Sequence, residues 1–489
     1  MVQGGGRFYA NTGSLETAII DWKSQRCPYT DNAHSLRQEA ERTVKRAACL
    51  LLIFTSTLIS VWWGIALGRS IPGGTNDLQV IYYATRCLLQ HGDPYQLDQL
   101  KAFYAAQEKN LPPNSIERPQ AVTWYIYLPP TTLVAVPLAM LPWRVAEAIW
   151  IALLAGALLT AALLMVHEAG HIAPRLAVFL TCAVLANCEI GFALGNAALL
   201  VVSLSIIATW CFVRERWSGF GIAALAIALA LKPHDVVLLW LYFVLTGGAN
   251  RKRALQSLAI TAVASVIGIV WVSHVAPLWL HEWNSNIASL AVRGGLSDPG
   301  LNAERARSAG QVIDLQAALS VLRDEPLFYN TASHIVCGAI LLVWTIVTLR
   351  ARLTRTAVWY ALAMAVPITM LMTYHRAYDA KLLLLAIPAC AMLWQEGGWK
   401  GRGALAVTTA AIVCTADLPL TILSEATARL DVSKMGFFER AWMMPVMRPA
   451  PLALLMAAVF YLWVYIQSAR KDARDAIRVQ AKSNNGTIH

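Results

Sequence analysis

The chain has 489 residues, of which 57% are hydrophobic and 14% charged, with a formal net charge of +11 at pH 7. A soluble domain carries about 25% charged residues, so this balance excludes an ordinary water-soluble core. The basic excess has two readings, nucleic-acid binding or cytoplasmic Lys and Arg that set topology. The basic clusters sit beside apolar runs, which favours topology and membrane lipid over nucleic acid.

Residues 1–46 are mostly polar, lack the form of a cleavable secretion signal and are expected to stay in the cytoplasm. A helix needs about 20 apolar residues to cross roughly 30 Å of hydrocarbon. Apolar runs lie near 47–68, 145–166, 174–190, 196–213, 218–231, 235–248, 254–276, 331–349, 356–372, 380–395, 403–420 and 450–467. Assigned to alternating directions, they put Arg214/Arg216, Arg251–Arg253, Arg350/Arg352/Arg355, Lys400/Arg402 and Arg470/Lys471 on one side, as the positive-inside rule asks. The expected fold is an all-α polytopic membrane protein of about twelve spans, by the span-length rule. Its transmembrane body covers 47–467, its cytoplasmic tail 468–489 frays after about Arg470, and both termini are inside.

The runs 218–231 and 235–248 are short and predict a shallow or broken hairpin around Lys232-Pro233. The piece 130–142, bounded by prolines, is also too short to span and reads as re-entrant or interfacial, shielded by protein. Long outer segments follow at about 69–130, 277–330 and 421–449. In the first, Leu78, Ile81, Tyr82 and Leu89 predict one face of a helix from Leu78 to about Gln90, with Gly92 as its stop. A second helix is expected after Asp93-Pro94, where Asp can cap and Pro suits the first turn.

Nine cysteines show no CxxC pair and mostly sit in apolar runs, so neither a disulfide framework nor a zinc site is expected. His167 and His171 have i, i+4 spacing but no third ligand nearby, and no metal or cofactor is expected.

This topology gathers polar residues on the non-cytoplasmic side: Asn76-Asp77, Asp93 and Tyr95, Gly195-Asn196, then Lys232, His234 and Asp235, and finally His375, Arg376 and Asp379. Ionisable groups at membrane depth are costly and usually functional. Each also has a plainer reading. Asp77 can cap a helix, Asp93 with Pro94 can make a turn, Lys232 can be a snorkelling anchor, and His375 can be a hydrogen-bonded loop histidine.

Several of these residues fall in short motifs. Asp77-Leu-Gln-Val-Ile-Tyr-Tyr-Ala is followed by Gly92-Asp93-Pro94-Tyr95, Tyr127-Leu-Pro129-Pro130, Pro137-Leu138, Gly195-Asn196-Ala-Ala-Leu-Leu and Lys232-Pro233-His-Asp. In that order they resemble glycosyltransferase family 87 over roughly residues 60–395, with Asn196 where the family usually has Gln. The resemblance implies a multispan enzyme of the type-C glycosyltransferase architecture. It implies a polyprenyl-phosphate sugar donor, often mannose or arabinose, used at the outer face of the bacterial inner membrane. It also implies that Asp77, in the first outer loop, is the catalytic candidate. The 421–449 segment has no counterpart, so the acceptor, a glycolipid or glycan, is not specified.

The chemistry asks for a base on the acceptor hydroxyl, donors for the leaving phosphate and an apolar groove for the lipid. Asp77 or His375 could be the base, and Lys232 and Arg376 could hold the phosphate. Tyr82, Tyr95, Trp124, Tyr125 and Tyr127 could line a sugar subsite or anchor at the interface. A transporter or lipid flippase also has about a dozen spans, but no half-to-half repeat is present. A scaffold would leave the one-sided polar cluster unexplained.

Overall fold

The computed structural model describes residues 28–70, 75–109, 123–295, 297–301, 311–427, 430 and 432–485. Parts of the expected cytoplasmic segment (1–27) and of the outer segments (71–74, 110–122, 302–310) lie outside them. The chain divides into two compact units, 1–52 and 53–489. Among the described residues there are helices and no strand.

The chain opens with α1 (Pro28–Ser70), then two loop helices, α2 (Asn76–Leu89) and α3 (Leu97–Lys109), and the short α4 (Pro129–Ala139). Next come α5 (Trp143–Gly170), α6 (Pro174–Leu185), the one-and-a-half-turn α7 (Glu189–Leu194), α8 (Ala197–Val213), α9 (Ser218–Leu231), α10 (Pro233–Thr246) and α11 (Gly248–Val275). The second outer segment holds α12 (Trp279–Ala291) and α13 (Leu315–Leu322) and is followed by α14 (Pro326–Arg350) and α15 (Arg355–Met372). The last third runs through a 3₁₀ segment (Ala377–Ala386), α16 (Ile387–Glu396), α17 (Gly398–Cys414), α18 (Asp417–Thr427), α19 (Phe437–Met447) and α20 (Pro449–Asn485).

Eight helices among the described residues are long and apolar enough to cross a bilayer, and α17 with α18 makes a ninth if that pair, bent by 66°, counts as one span. The expectation of twelve is therefore modified at the runs 196–213, 218–231 and 235–248. Their helices have 17, 14 and 14 residues, or about 26, 21 and 21 Å at the α-helical rise, short of the hydrocarbon thickness. Periodicity finds apolar helices but cannot say that they are buried in protein and relieved of reaching both faces. The run 403–420 breaks at Thr415-Ala416, where Asp417 starts a new helix. The tail beyond Arg470, expected to fray, continues α20 to Asn485.

Burial separates inner from outer helices. In α15 and in Ala377–Glu396 83% of the span is buried, against 11% of α11. The outward face of α11 carries Val263, Val266 and Val270, each at least 60% exposed. Such a row is too apolar for water and suits lipid chains. The chain is an integral membrane protein.

The re-entrant expectation for 130–142 corresponds to α4, whose 11 residues bury Pro129, Pro130, Thr131, Thr132, Ala135 and Ala139. It packs on α2 and α11. A Cβ added at Gly268 of α11 would lie 2.9 Å from the carbonyl carbon of Pro129, so only glycine lets the two backbones meet. Gly268→Val is expected to cost about 1–3 kcal/mol through overpacking. An unchanged unfolding midpoint in detergent would show that α4 does not lean on this glycine.

The first loop differs in detail from its expected form. The amphipathic reading puts Leu89 on the buried face, but Leu89 is 38% exposed, while Val80, Tyr83, Ala84 and Cys87 are buried with Leu78, Ile81 and Tyr82. The helix is enclosed nearly all round, so a two-sided pattern could not report its contacts. The turn beyond it takes its positive φ at His91, whereas Gly92 is needed for room: a Cβ there would lie 2.7 Å from Cys87 Sγ. The following helix begins at Leu97, three residues later than Pro94.

Candidate functional site

The site begins where α7 stops. Gly195 closes α7 with φ of 61°, and its carbonyl accepts the indole N–H of Trp150 at 2.8 Å. The chain then turns into α8 through Asn196, whose Oδ1 caps the helix by accepting from Ala198 N at 2.7 Å. The other end of the same amide donates, Nδ2 to Asp77 Oδ2, at 2.5 Å. Asn at this place thus caps one helix and orients the carboxylate of another. Truncation by Asn196→Ala removes a cap worth about 1 kcal/mol and a hydrogen bond to a charged group worth about 1.5–3 kcal/mol. Turnover is expected to fall about 10- to 100-fold, measured alongside thermal unfolding. Full turnover would detach Asn196 from the chemistry.

Asp77 does not cap its own helix. Thr75 is the N-cap of α2 without a side-chain cap bond, and Thr75 N donates to Ala193 O at 2.6 Å. The Asp77 carboxyl lies in the first turn, turned toward Asn196. Burial raises its pKa above the ordinary carboxylate value, opposed by the Asn196 hydrogen bond and by the positive charges of Arg376 and Lys232.

Lys232 is the corner between α9 and α10, with Pro233 at the first position of α10, where its missing N–H costs nothing. Its Nζ donates to Asp379 Oδ1 at 2.6 Å and lies 3.2 Å from Asp235 Oδ2. The ring of Tyr378 sits 5.5 Å from the same nitrogen. Asp235 Oδ1 faces two imidazoles, His375 Nε2 at 3.1 Å and His234 Nε2 at 3.2 Å. Asp379 also caps the 3₁₀ segment, its Oδ2 accepting from Arg376 N at 2.8 Å.

The His375-Arg376 turn is fixed from the second outer segment. Ile313 N donates to His375 O at 3.0 Å, and Val312 and Arg376 form an antiparallel bridge. Arg376 side-chain nitrogens donate to Tyr374 Oη and to Gln311 Oε1. Burial disfavours charge on His375, but the Asp235 carboxylate outweighs it and the ring's pKa is raised. Asp77, Asn196, Lys232, His234, Asp235, His375, Arg376 and Asp379 therefore belong to one polar cluster drawn from four separate segments.

Asp93 and Tyr95 stand apart from it. Asp93 Oδ1 accepts from Tyr95 N at 2.9 Å, closing an Asx turn. Tyr95 is buried, donates its hydroxyl to Tyr127 O at 2.9 Å, and packs on Tyr125 and Trp279. This brace holds the segment carrying Tyr127. Tyr82 is likewise engaged, its hydroxyl donating to Leu141 O at 2.6 Å. His167 and His171 stack edge to face at 5.2 Å and belong to no three-ligand group among the described residues.

The family model of glycosyltransferase family 87 matches residues 125–373, just over half of the chain. The chain belongs to glycosyltransferase family 87. It is a membrane glycosyltransferase, and its membership covers Asn196, Lys232, His234 and Asp235 within the matched stretch. Asp77 precedes that stretch, and His375, Arg376 and Asp379 follow it. No curated protein and no solved structure matches the chain.

The sequence reading of this family 87 member omits Tyr378, Gln311 and the Val312–Asp314 strip. Tyr378 is flanked by residues it does single out, so adjacency in Tyr-His-Arg-Ala-Tyr-Asp was an available signal. Gln311 and Val312 carry none, because their role comes from a contact some 65 residues away in sequence. Asp314 caps α13 by accepting from Ala317 N; burial pushes its carboxyl up to about 7.

Proposed function

We propose that the chain transfers a hexose or pentose, with mannose favoured, from a polyprenyl-phosphate donor to a lipid-linked or glycan acceptor. The reading places the site on the non-cytoplasmic face of a bacterial inner membrane, with both termini inside. The observation that carries it is the pairing of a hydrogen-bonded carboxylate, Asp77, with two cations whose charge reaches it, Lys232 and Arg376.

Asp77 is the base that takes the acceptor's proton as the hydroxyl attacks the anomeric carbon. Lys232 has three donors, two of them directed at Asp379 and Asp235, and with Arg376 it holds the charge that grows on the leaving phosphate. His375 positions sugar or phosphate. A small apolar cavity is lined by Leu78, Ile81, Val134, Leu138, Trp150 and Leu231. Leu78 follows Asp77 and Leu231 precedes Lys232, so this apolar wall adjoins both polar residues in the chain and is where the donor's lipid would approach them. Because α9 and α10 are short, their corner at Lys232 would sit below the outer surface, within reach of a phosphate drawn into the membrane.

The test is label transfer from a panel of polyprenyl-phosphate sugars to membrane glycolipids by the purified chain in liposomes, with products read by mass spectrometry. A product with one donor class supports the reading. Substrate movement across the bilayer without any sugar product would overturn it.

A further inference from the structure

We propose that His234, Asp235 and His375 form a divalent transition-metal site, of the kind that takes Zn2+ or Mn2+, which holds a phosphate oxygen of the donor. The reading of the donor as a lipid phosphate is the one given above; the metal site itself stands on the geometry that follows. Spacing does not announce it, since 139 residues separate Asp235 from His375 and the group includes no cysteine.

The ligand atoms of the three residues all lie within 4.8 Å of one another. Two of the three separations are 3.1 and 3.2 Å. Ligands each about 2.0–2.1 Å from a tetrahedral zinc are about 3.3 Å apart, so two edges of the site already have that length. The third would close by rotation of His234, whose side chain is 42% exposed.

The orientation of His375 points the same way. His375 Nδ1 lies 2.9 Å from the carbonyl oxygen of Thr373. A carbonyl only accepts, so Nδ1 carries a proton, which leaves Nε2 as the ring atom that would bind a metal once its own proton is displaced. That arrangement, one ring nitrogen donating to a backbone carbonyl, is the usual support of a metal-bound imidazole. Nε2 faces Asp235 Oδ1 at 3.1 Å, the distance of a shared proton that a metal ion would replace. Both side chains are at most 2% exposed, so a cation that enters between them meets little water and takes the place of the shared proton.

Charge balance allows one. Asp77, Asp235 and Asp379 set three negative charges against Lys232 and Arg376, leaving one in excess with neutral imidazoles. A dication reverses that excess, and the single negative charge of a phosphodiester donor then neutralises the site. The oxygens of Asp235 divide the work, Oδ2 toward Lys232 and Oδ1 toward the two imidazoles. Two imidazoles and one carboxylate suit zinc or manganese and leave coordination positions for an outside oxygen.

The experiment uses the full chain in lipid nanodiscs, stripped with a chelator and titrated with ZnCl2 and with MnCl2, with bound metal counted by mass spectrometry. One equivalent per chain is expected. His234→Ala, at an exposed position, is expected to weaken binding at least about 100-fold and to abolish any metal-induced rise in Tm, while His167→Ala changes neither. Less than a tenth of an equivalent bound to the wild type, or equal binding by His234→Ala, overturns the site. If the chelated chain still transfers sugar at full rate and binds no metal, the site falls and the glycosyltransfer stands. If metal binds one to one and no polyprenyl-phosphate sugar is used, the donor reading falls and the site stands.

Discussion

Asp77→Asn is expected to lower sugar transfer by about 10²–10⁴-fold, the usual contribution of a positioned general base. The substitution keeps size and keeps an oxygen for Asn196 Nδ2, so the α2–α8 junction should hold and the loss should appear in turnover. The folded carboxyl has a raised pKa, and a base works only when ionised. Wild-type kcat/KM is therefore expected to fall on the acid side with a midpoint above the usual carboxylate range, a limb that Asp77→Asn should lack. Stability has the opposite sign. A carboxyl whose folded pKa is raised favours the folded state most at low pH, and that advantage is lost as pH rises from the unfolded value through the folded one. At neutral pH, Asp77→Asn should be at least as stable as wild type. A folded Asp77→Asn protein with ordinary turnover would hand the role of base to His375.

The largest effect on stability is expected away from the site. Lys381 Nζ lies 3.2 Å from Asp417 Oδ1, with the side chains 3% and 0% exposed. The other oxygen of Asp417 accepts from Ile190 N at 2.9 Å. The pair ties the 3₁₀ segment to the start of α18 and to α7. Asp417→Leu leaves a buried ammonium without its partner and should cost about 3–5 kcal/mol. The double substitution Lys381→Met with Asp417→Leu removes both charges and should recover most of that loss, read as the midpoint of an SDS unfolding titration. If the double variant is as unstable as Asp417→Leu alone, the charge pair is not the cause.

Helix class, the apolar runs and the Lys232-Pro233 corner are legible in the sequence because span length, charge flanks and proline geometry act over a few residues. The convergence of Asp77 on Lys232 is legible only through the order of motifs and the one-sided placement of polar residues. Three features lie beyond such reasoning for physical reasons. The half-length helices α8, α9 and α10 are as apolar as true spans, so composition cannot show that protein replaces lipid around them. Lys381 sits in an apolar run whose counter-ion comes from 36 positions on, and a local window sees only a tolerated charge, although an intramembrane lysine is itself a reason to search for one. The plainer readings divide as well: Asp93 makes a turn, as an Asp-Pro pair suggests, whereas Asp77 leaves its helix uncapped and turns to Asn196.

Lys232 has one partner three positions along the chain and another 147 positions away. The nearer, Asp235, is made almost together with it, so the corner enters the membrane already carrying its own counter-charge. Asp379 arrives only after three more long helices, α11, α14 and α15, have been synthesised. The early pairing makes the order of assembly tolerable, since a lone ammonium would otherwise wait in an apolar setting while 147 further residues are made. The late one means that no shorter nascent fragment holds both partners of Lys232, so the glycosyltransferase stays silent until most of its body is in place.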